Sequence, residues 1–200
     1  MSKGSVAPLI KEYYPEYYML IEYPVGSCAV FKTTKEKWGI LGNFARTPLV
    51  VEDLTFNNSE KLFQLMKFTD EDTLLTLYRI NGIPFKRKAR SLEKVPGLRR
   101  PDWGRIIVDC MKFCLQTKYE QSEEFRNTLN ETAGLFIVED ETNRPGAPTT
   151  WGTVLDGDMY KGSNLMGRLL MELRDNGKLE YQLPDDIFDF IKILKSSGQI

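Results

Sequence analysis

The sequence predicts an α+β fold, a single helix-rich domain built around a small β-sheet. Its 200 residues are 42% hydrophobic and 28% charged, which is typical of one globular domain with a sizeable core. Apolar residues recur at helical spacing over several long segments, whereas segments rich in aromatic and β-branched residues are short and few. We place the domain at residues 16–182, preceded by a flexible arm over 1–15 and followed by a C-terminal helix over 183–200 that packs on it.

The first half of the chain alternates short apolar segments with turn-forming residues. Two segments rich in aromatic and β-branched side chains predict strands joined by a turn that contains Pro24. Further along, Asn57 and Glu60 are three residues apart, which is the start signature of a helix. The predicted elements are therefore, in order, strands over 17–23 and 28–32, a helix over 57–68 and an irregular basic segment over 86–100.

The second half begins with the longest helical pattern of the chain. Asp102 caps it, and the buried stripe comprises Ile106, Ile107, Cys110, Met111, Cys114, Leu115 and Tyr119. Ser122 opens the next helix and Gly134 ends it. The predicted elements are helices over 103–120 and from 122, a strand over 134–140, a loop over 141–150, a helix from Ser163 or Asn164 to Gly177, and a C-terminal helix over 183–195.

Composition excludes several classes of function. Lysine and arginine total 27 against 28 acidic residues, so the net charge of −1 gives no general attraction to nucleic acid or membranes. No segment resembles a signal peptide or a membrane span, and we expect a cytoplasmic protein. Histidine is absent, which excludes Ser-His-Asp and Cys-His nucleophiles, His-containing zinc sites and imidazole acid/base catalysis. We expect no metal and no cofactor, and the three cysteines are interpreted as reduced packing residues.

The segment before the penultimate helix has the pattern of an anion site. A polar loop with Gly152 and Gly162 leads into a strongly apolar helix that begins at Asn164. Free N–H groups at a helix start attract phosphate, and glycines allow a diphosphate to approach the backbone. The alternative is an ordinary core helix, capped by Ser163 or Asn164.

The predicted helix over 57–68 carries a polar face. Glu60, Gln64 and Lys67 lie on one side of it, opposite the apolar residues. A carboxylate, an amide and an ammonium on adjacent turns can bind sugar hydroxyls and hold an acid/base group. The alternative is that Glu60 only completes a capping box with Asn57.

Aromatic residues supply a second candidate set. Trp38, Phe44, Trp103 and Trp151 could sandwich a flat base, and Asn43 could read a base edge or a ribose hydroxyl. The alternative for each of them is packing in the core.

Four ordered motifs together resemble the NADAR or YbiA-like domain family. They comprise Trp38, Gly39, Asn43 and Phe44; Glu60, Phe63, Gln64, Lys67 and Phe68; Trp103, Met111, Lys118 and Tyr119; and Trp151, Gly152, Gly162, Asn164, Gly167, Leu169 to Leu173 and Arg174. The resemblance implies a YbiA-like α+β fold and cleavage of N-glycosidic bonds in ribosylated bases and ADP-ribose adducts. It favours a functional role for the candidate site residues.

The chain departs from the family pattern at three places. Gly42 replaces a serine, and Lys61 stands where a histidine is usual. Pro148 and Thr149 occupy the positions before Trp151 where the family places an aspartate. Asp140, Asp156 or Asp158 could supply that carboxylate from the surrounding loop. The alternative is a non-catalytic sensor that binds ADP-ribose or an NAD derivative.

The chemistry that the resemblance implies suits the residue types present. Cleavage builds oxocarbenium-like charge on the ribose, which the Glu60 carboxylate could stabilise, or Glu60 could activate water. Lys32 is our candidate for a covalent Schiff-base route, which needs an amine whose pKa is lowered, and Lys67 is a weaker one.

The expected substrate is ADP-ribosylated guanine, in a nucleic acid or a nucleotide, or a ribosylated base metabolite. The basic stretch from Lys86 to Arg100 could contact a nucleic acid strand, but the reading that we favour for it is a solvated loop. A third reading is an interaction module that uses the apolar stripe of Ile187, Phe188, Ile191 and Leu194.

Overall fold

The computed structural model describes residues 7–198 and confirms the predicted α+β class, with helices around small sheets. The helices are α1 (Ala7–Tyr13), α2 (Ser59–Leu65), α3 (Glu71–Tyr78), α4 (Gly82–Leu92), α5 (Trp103–Gln121), α6 (Glu123–Glu131), α7 (Leu165–Asn176) and α8 (Asp189–Ser196). The strands are β1 (Ile21–Pro24), β2 (Cys28–Phe31), β3 (Leu49–Val51), β4 (Leu54–Phe56), β5 (Phe136–Glu139), β6 (Val154–Asp156) and β7 (Met159–Gly162).

The strands form three small sheets. β1, β7 and β6 form an antiparallel sheet in that order, and β3 and β4 form a hairpin. β2 pairs with β5 in parallel, so that Val30 lies opposite Val138. The strands predicted near 17–23 and 28–32 therefore exist, but they pair with distant segments and not with each other. This places the carboxyl end of β5 beside the loop that follows β2.

Helix α5 is the centre of the core. Its predicted stripe is buried except for the partly buried Tyr119, with Cys110, Cys114 and Leu115 fully inaccessible to solvent. Helices α1, α2, α6 and α7 all pack against it. Burial of both cysteines as free thiols raises their pKa, so they pack as apolar side chains.

Two sequence predictions for local structure are wrong. The part of the expected N-terminal arm within the described residues contains helix α1 and buries Ile10, while residues 1–6 lie outside the described range. The basic segment over 86–100 was expected to be irregular, but its first part is helix α4. Phe85 and Ala89 lie four residues apart and are both buried, so a short apolar face anchors α4 on the domain despite its many cations.

The C-terminal stripe lies on the chain's own domain. Helix α8 begins at Asp189, later than predicted, and packs against α3. Phe190 is buried beside Phe56, with ring centroids 6.0 Å apart, and Ile191 and Leu194 are fully buried. The stripe is thus covered within this chain.

Candidate active site

A cleft of about 800 Å³ collects most of the predicted site residues. Helices α2 and α4, the loop before β3, the end of β5 and the loop that follows it form its walls. The predicted residues that line it are Lys32, Gly39, Asn43, Phe44, Glu60, Gln64, Lys67 and Trp151. Those outside its lining are Trp38, Trp103, Gly152, Gly162 and Asn164.

Glu60 is fixed in this cleft by two contacts. Its Oε1 forms an ion pair with Lys86 Nζ at 3.0 Å and accepts a hydrogen bond from Gln64 Nε2 at 3.1 Å, and the residue is only 4% exposed. The capping box with Asn57 does not form, because Asn58 is the N-cap and accepts from Lys61 N. The Glu60 carboxylate is therefore available to a ligand.

Glu139 is a second carboxylate in the cleft, which the sequence analysis missed. It is the last residue of β5, and within residues 7–198 its carboxyl group has no hydrogen bond or ion pair. Burial is the main cause that raises its pKa from an ordinary 4.5 to about 7, and the negative charges of Glu141 and Glu60 act in the same direction. Its place at the carboxyl end of the predicted strand over 134–140 was the available signal.

A third carboxylate, Glu141, stabilises the loop over 141–150. It forms an ion pair with Arg144 and accepts from Thr149 N at 2.6 Å and from Thr149 Oγ1 at 2.9 Å. The family's aspartate position is thus occupied by a threonine that binds Glu141. Of the three aspartates suggested as substitutes, Asp140 pairs with Lys32, Asp156 pairs with Lys161, and none lines the cleft.

The two candidate lysines have different surroundings. The Lys32 side chain is 40% exposed, and its Nζ donates to Asp140 Oδ2 at 3.3 Å and to the Thr142 carbonyl at 2.8 Å. Both contacts direct the Lys32 side chain toward the segment that follows β5. Lys67 is buried, and burial lowers its pKa, although Glu93 at 2.7 Å from Nζ opposes this.

The basic stretch supplies a cationic wall. Lys86, Arg90 and Lys94, four residues apart, all line the cleft. With these three, the lining contains six cationic side chains and four acidic ones, although the net charge of the chain is −1. Arg100 is separate from this wall, because it forms ion pairs with Asp102 and Asp186.

The predicted four-residue aromatic sandwich is wrong. Phe44 and Trp151 line the cleft, and Lys86 Nζ lies 4.7 Å from the Phe44 ring centroid. Trp103 is buried against Phe63, and Trp38 packs on the core with Lys37 over its ring. Asn43 lines the cleft, but its amide already donates to Met111 Sδ and accepts from Ser59 Oγ.

The predicted anion site at the start of α7 is also wrong. The N–H groups of Asn164, Leu165 and Met166 donate to the carbonyls of Gly152, Thr150 and Trp151. The Asn164 side chain is no cap, since its Nδ2 donates to Ile137 O at 2.8 Å and its Oδ1 accepts from Glu139 N at 3.2 Å. Asn164 therefore ties α7 to β5 beneath the cleft.

The two glycines of this segment serve backbone packing. A Cβ atom at Gly152 would lie 2.6 Å from Glu141 Cγ, and one at Gly162 would lie 2.5 Å from the Gly152 carbonyl oxygen. The close approach is thus to the chain itself, which corrects their predicted role beside a diphosphate.

Within residues 7–198, no group of three or more potential metal-ligating side chains is close enough to hold a metal ion. No helix in this range is long and apolar enough to cross a membrane.

Comparison with known proteins identifies the family. The NADAR domain model matches residues 30–176, the range that contains all of the cleft lining. The chain belongs to the NADAR family. This NADAR protein is 33% identical over 150 residues to the N-glycosidase YbiA of Escherichia coli. The aligned residues make up 75% of this chain and 88% of YbiA. The NMR structure of E. coli YbiA superposes with a TM-score of 0.61 at 31% identity, covering 80% of this chain and 91% of that one.

A more distant relative has another name. A riboflavin biosynthesis protein of Vibrio vulnificus is 26% identical over 180 residues, which is 90% of this chain and 45% of that protein. The NADAR fold thus also occurs as part of longer proteins. The match with YbiA confirms the predicted family and fold.

Proposed function

We propose that this NADAR protein is an N-glycosidase that hydrolyses the bond between a ribose and a base. Its relatives at 33% identity carry the name N-glycosidase. The observation that carries the proposal is the Glu60 carboxylate, which is buried in a large cleft and held by Lys86 and Gln64. A fixed carboxylate in a site of low dielectric is the group that stabilises an oxocarbenium-like transition state.

Two carboxyl groups divide the work. Lys86 and Gln64 favour negative charge on Glu60, which stabilises the ribosyl cation or orients the attacking water. Glu139, whose pKa is raised to about 7, is half protonated at neutral pH and can donate a proton to the departing base. Different environments thus assign different roles to the same type of side chain.

The substrate that we propose is ADP-ribose attached to guanine. The cationic wall of Lys86, Arg90 and Lys94 suits a diphosphate, because charged contacts in a cleft outweigh those in open water. Phe44 and Trp151 offer aromatic faces to a base. A ribosylated base phosphate is the smaller alternative, and it would engage fewer of these cations.

Whether the guanine belongs to a nucleic acid is testable by salt dependence. Arg87 and Lys88 are exposed on α4 next to the cleft wall and could bind the phosphates of a strand. Binding of an oligonucleotide substrate would then weaken steeply with salt, and Arg87→Gln with Lys88→Gln would reduce the slope. If the salt dependence of oligonucleotide binding equals that of free ADP-ribose binding, the protein makes no contact with the strand and the substrate is a nucleotide.

The covalent route through Lys32 is a competing mechanism. It predicts that borohydride traps a ribosyl adduct that intact-mass analysis detects and that Lys32→Met abolishes. The contacts of Lys32 with Asp140 and Thr142 argue against it, so we expect no adduct.

The decisive experiment measures product release by mass spectrometry. An ADP-ribosylated guanine oligonucleotide and a ribosylamino-pyrimidine phosphate are incubated with the protein, with Glu60→Gln and with Glu172→Gln. Glu172 is a partly buried carboxylate that binds Tyr17 outside the cleft, so it is the matched control. We expect release of free ADP-ribose by the protein and the control, and at least a hundredfold loss in Glu60→Gln. Tight binding without product from either substrate would instead identify a sensor.

A further inference from the structure

Lys118 is a fully buried cation that does not touch the cleft. It lies on α5 with 0% exposure, and no carboxylate of residues 7–198 lies within ion-pair distance of its Nζ. Its ammonium donates to the carbonyls of Ile40 at 2.6 Å and Gly42 at 3.0 Å, and lies 4.5 Å from the ring centroid of Phe125. A buried cation without a counter-ion costs stability, and such groups are retained where they organise a site.

The carbonyls that Lys118 binds belong to a wall of the cleft. Gly39, Gly42, Asn43 and Phe44 line it within six residues of chain. The other side of this segment is fixed by packing, since a Cβ atom at Gly39 would lie 2.5 Å from the Thr33 carbonyl oxygen. Lys118 holds the segment from the core side.

The same segment sets the position of Glu60. The Glu60 N–H donates to the Asn43 carbonyl at 3.0 Å, and Ser59 Oγ donates to Asn43 Oδ1 at 3.0 Å. The first turn of α2, with the candidate catalytic carboxylate, is therefore attached to the residue that follows Gly42. A continuous chain of contacts runs from Lys118 through Gly42 and Asn43 to Glu60.

We infer that Lys118 is a positioning residue: by holding the carbonyls of Ile40 and Gly42 it places Asn43, and through it Glu60, for hydrolysis. The effect of Lys118 on kcat rests on the proposed function, whereas its effect on the position of Asn43 and Glu60 does not. Burial lowers the pKa of Lys118 to about 7, as expected for an ammonium held only by dipoles and an aromatic ring.

The test replaces Lys118 and a matched buried residue of the same helix. Lys118→Met keeps the length of the side chain and removes the donors. Gln116→Met is the control, because Gln116 is also buried on α5 but contacts Glu120 and Leu179, away from the cleft. We expect Lys118→Met to lower kcat by about tenfold to a hundredfold, as displaced catalytic groups do, with KM within about threefold. Gln116→Met should keep kcat within about twofold of the wild type.

Amide hydrogen exchange separates the inference from the proposed function. In Lys118→Met the Glu60 amide should exchange at least tenfold faster relative to the α5 amides, whereas Gln116→Met should leave this ratio unchanged. If no substrate is hydrolysed by the wild type, the exchange ratio still decides the inference. An unchanged ratio, or an unchanged kcat in an active enzyme, overturns it.

A second variant covers the case in which Lys118→Met does not fold. Phe125→Leu removes the ring contact of the ammonium and keeps a buried apolar side chain at that position. We expect a smaller increase of the same Glu60 exchange ratio, and no increase would overturn the inference.

Discussion

Replacing Glu139 with glutamine should stabilise the protein and inactivate it. The wild-type carboxyl group lines the cleft and, within residues 7–198, has no hydrogen bond or ion pair to support its charge. Its pKa is raised from 4.5 to about 7, chiefly by burial. Because the folded state holds this proton more tightly than the unfolded chain, the free energy of unfolding falls as pH rises from about 4.5 to about 7.

The size of the effect follows from the pKa. One pKa unit corresponds to about 1.4 kcal/mol, so the wild type loses about 3 kcal/mol across this window. Glutamine is neutral at every pH and avoids the loss. Glu139→Gln should therefore be about 3 kcal/mol more stable than the wild type at pH 8, and about equally stable at pH 4. For a chain of this length the difference at pH 8 corresponds to a Tm about 6 to 12 °C higher.

Thermal unfolding at both pH values, together with kinetics, tests this prediction. The variant should lose about a hundredfold to ten-thousandfold in kcat because it cannot donate the proton, and wild-type kcat/KM should fall above about pH 7. Glu141→Gln is the contrast, since Glu141 is satisfied by Arg144 and Thr149, and its replacement should destabilise at pH 8. If Glu139→Gln is no more stable than the wild type at pH 8, the description of Glu139 as an unsupported carboxyl is refuted.

Three further variants test the cleft wall and its support. Arg90→Met should weaken the binding of ADP-ribose about tenfold in calorimetry, whereas Arg79→Met, at an exposed residue outside the cleft, should not. Equal affinities of the two variants would show that the diphosphate does not bind at the α4 wall. Gly167→Ala should cost about 3 kcal/mol in denaturant unfolding, because its Cβ would lie 2.1 Å from the Ile137 carbonyl oxygen, and a loss below about 1 kcal/mol would contradict this contact. Lys61→Met should cost about 2 kcal/mol by the same measurement, since Lys61 Nζ donates to the carbonyls of Tyr78 and Ile80 between α3 and α4, and an unchanged midpoint would show that water replaces it.

Helical pattern and family motifs predicted the parts of the molecule that depend on local sequence. The long stripe of α5, the end of α7 at Gly177 and the polar face of α2 follow from spacing, and each exists. Pairing of β2 with β5 did not follow, because the two segments are separated by more than 100 residues and nothing local records their contact. Glu139 was missed for the same reason, and Lys118 was only one residue of a motif, because its inferred role depends on carbonyls and a ring that the fold brings to it.

The error at the start of α7 has a physical origin. Sequence reasoning counts the orphan N–H groups of a helix, but it cannot see whether another backbone segment already binds them. Here the carbonyls of Gly152, Thr150 and Trp151 do so, and the Asn164 side chain turns toward β5. The cationic side chains that line the cleft come instead partly from α4, in a segment whose sequence predicts an irregular structure.

In the mechanism that we propose, the absence of histidine leaves the roles of acid and anion to two carboxyl groups in different surroundings. A general acid at neutral pH requires a pKa near 7, and a glutamate reaches it only where burial is not balanced by donors. Glu139 meets this condition, because Asn164 binds only its backbone N–H and, within residues 7–198, no group donates to its carboxyl. Glu60 has the opposite surroundings, since its carboxylate forms an ion pair with Lys86 and accepts a hydrogen bond from Gln64. The proposed acid, Glu139, thus depends on the lack of a donor to its carboxyl, whereas the proposed anion, Glu60, depends on its contacts with Lys86 and Gln64. Adding a donor near Glu139, or removing Lys86, should therefore abolish the division of roles while leaving the cleft intact.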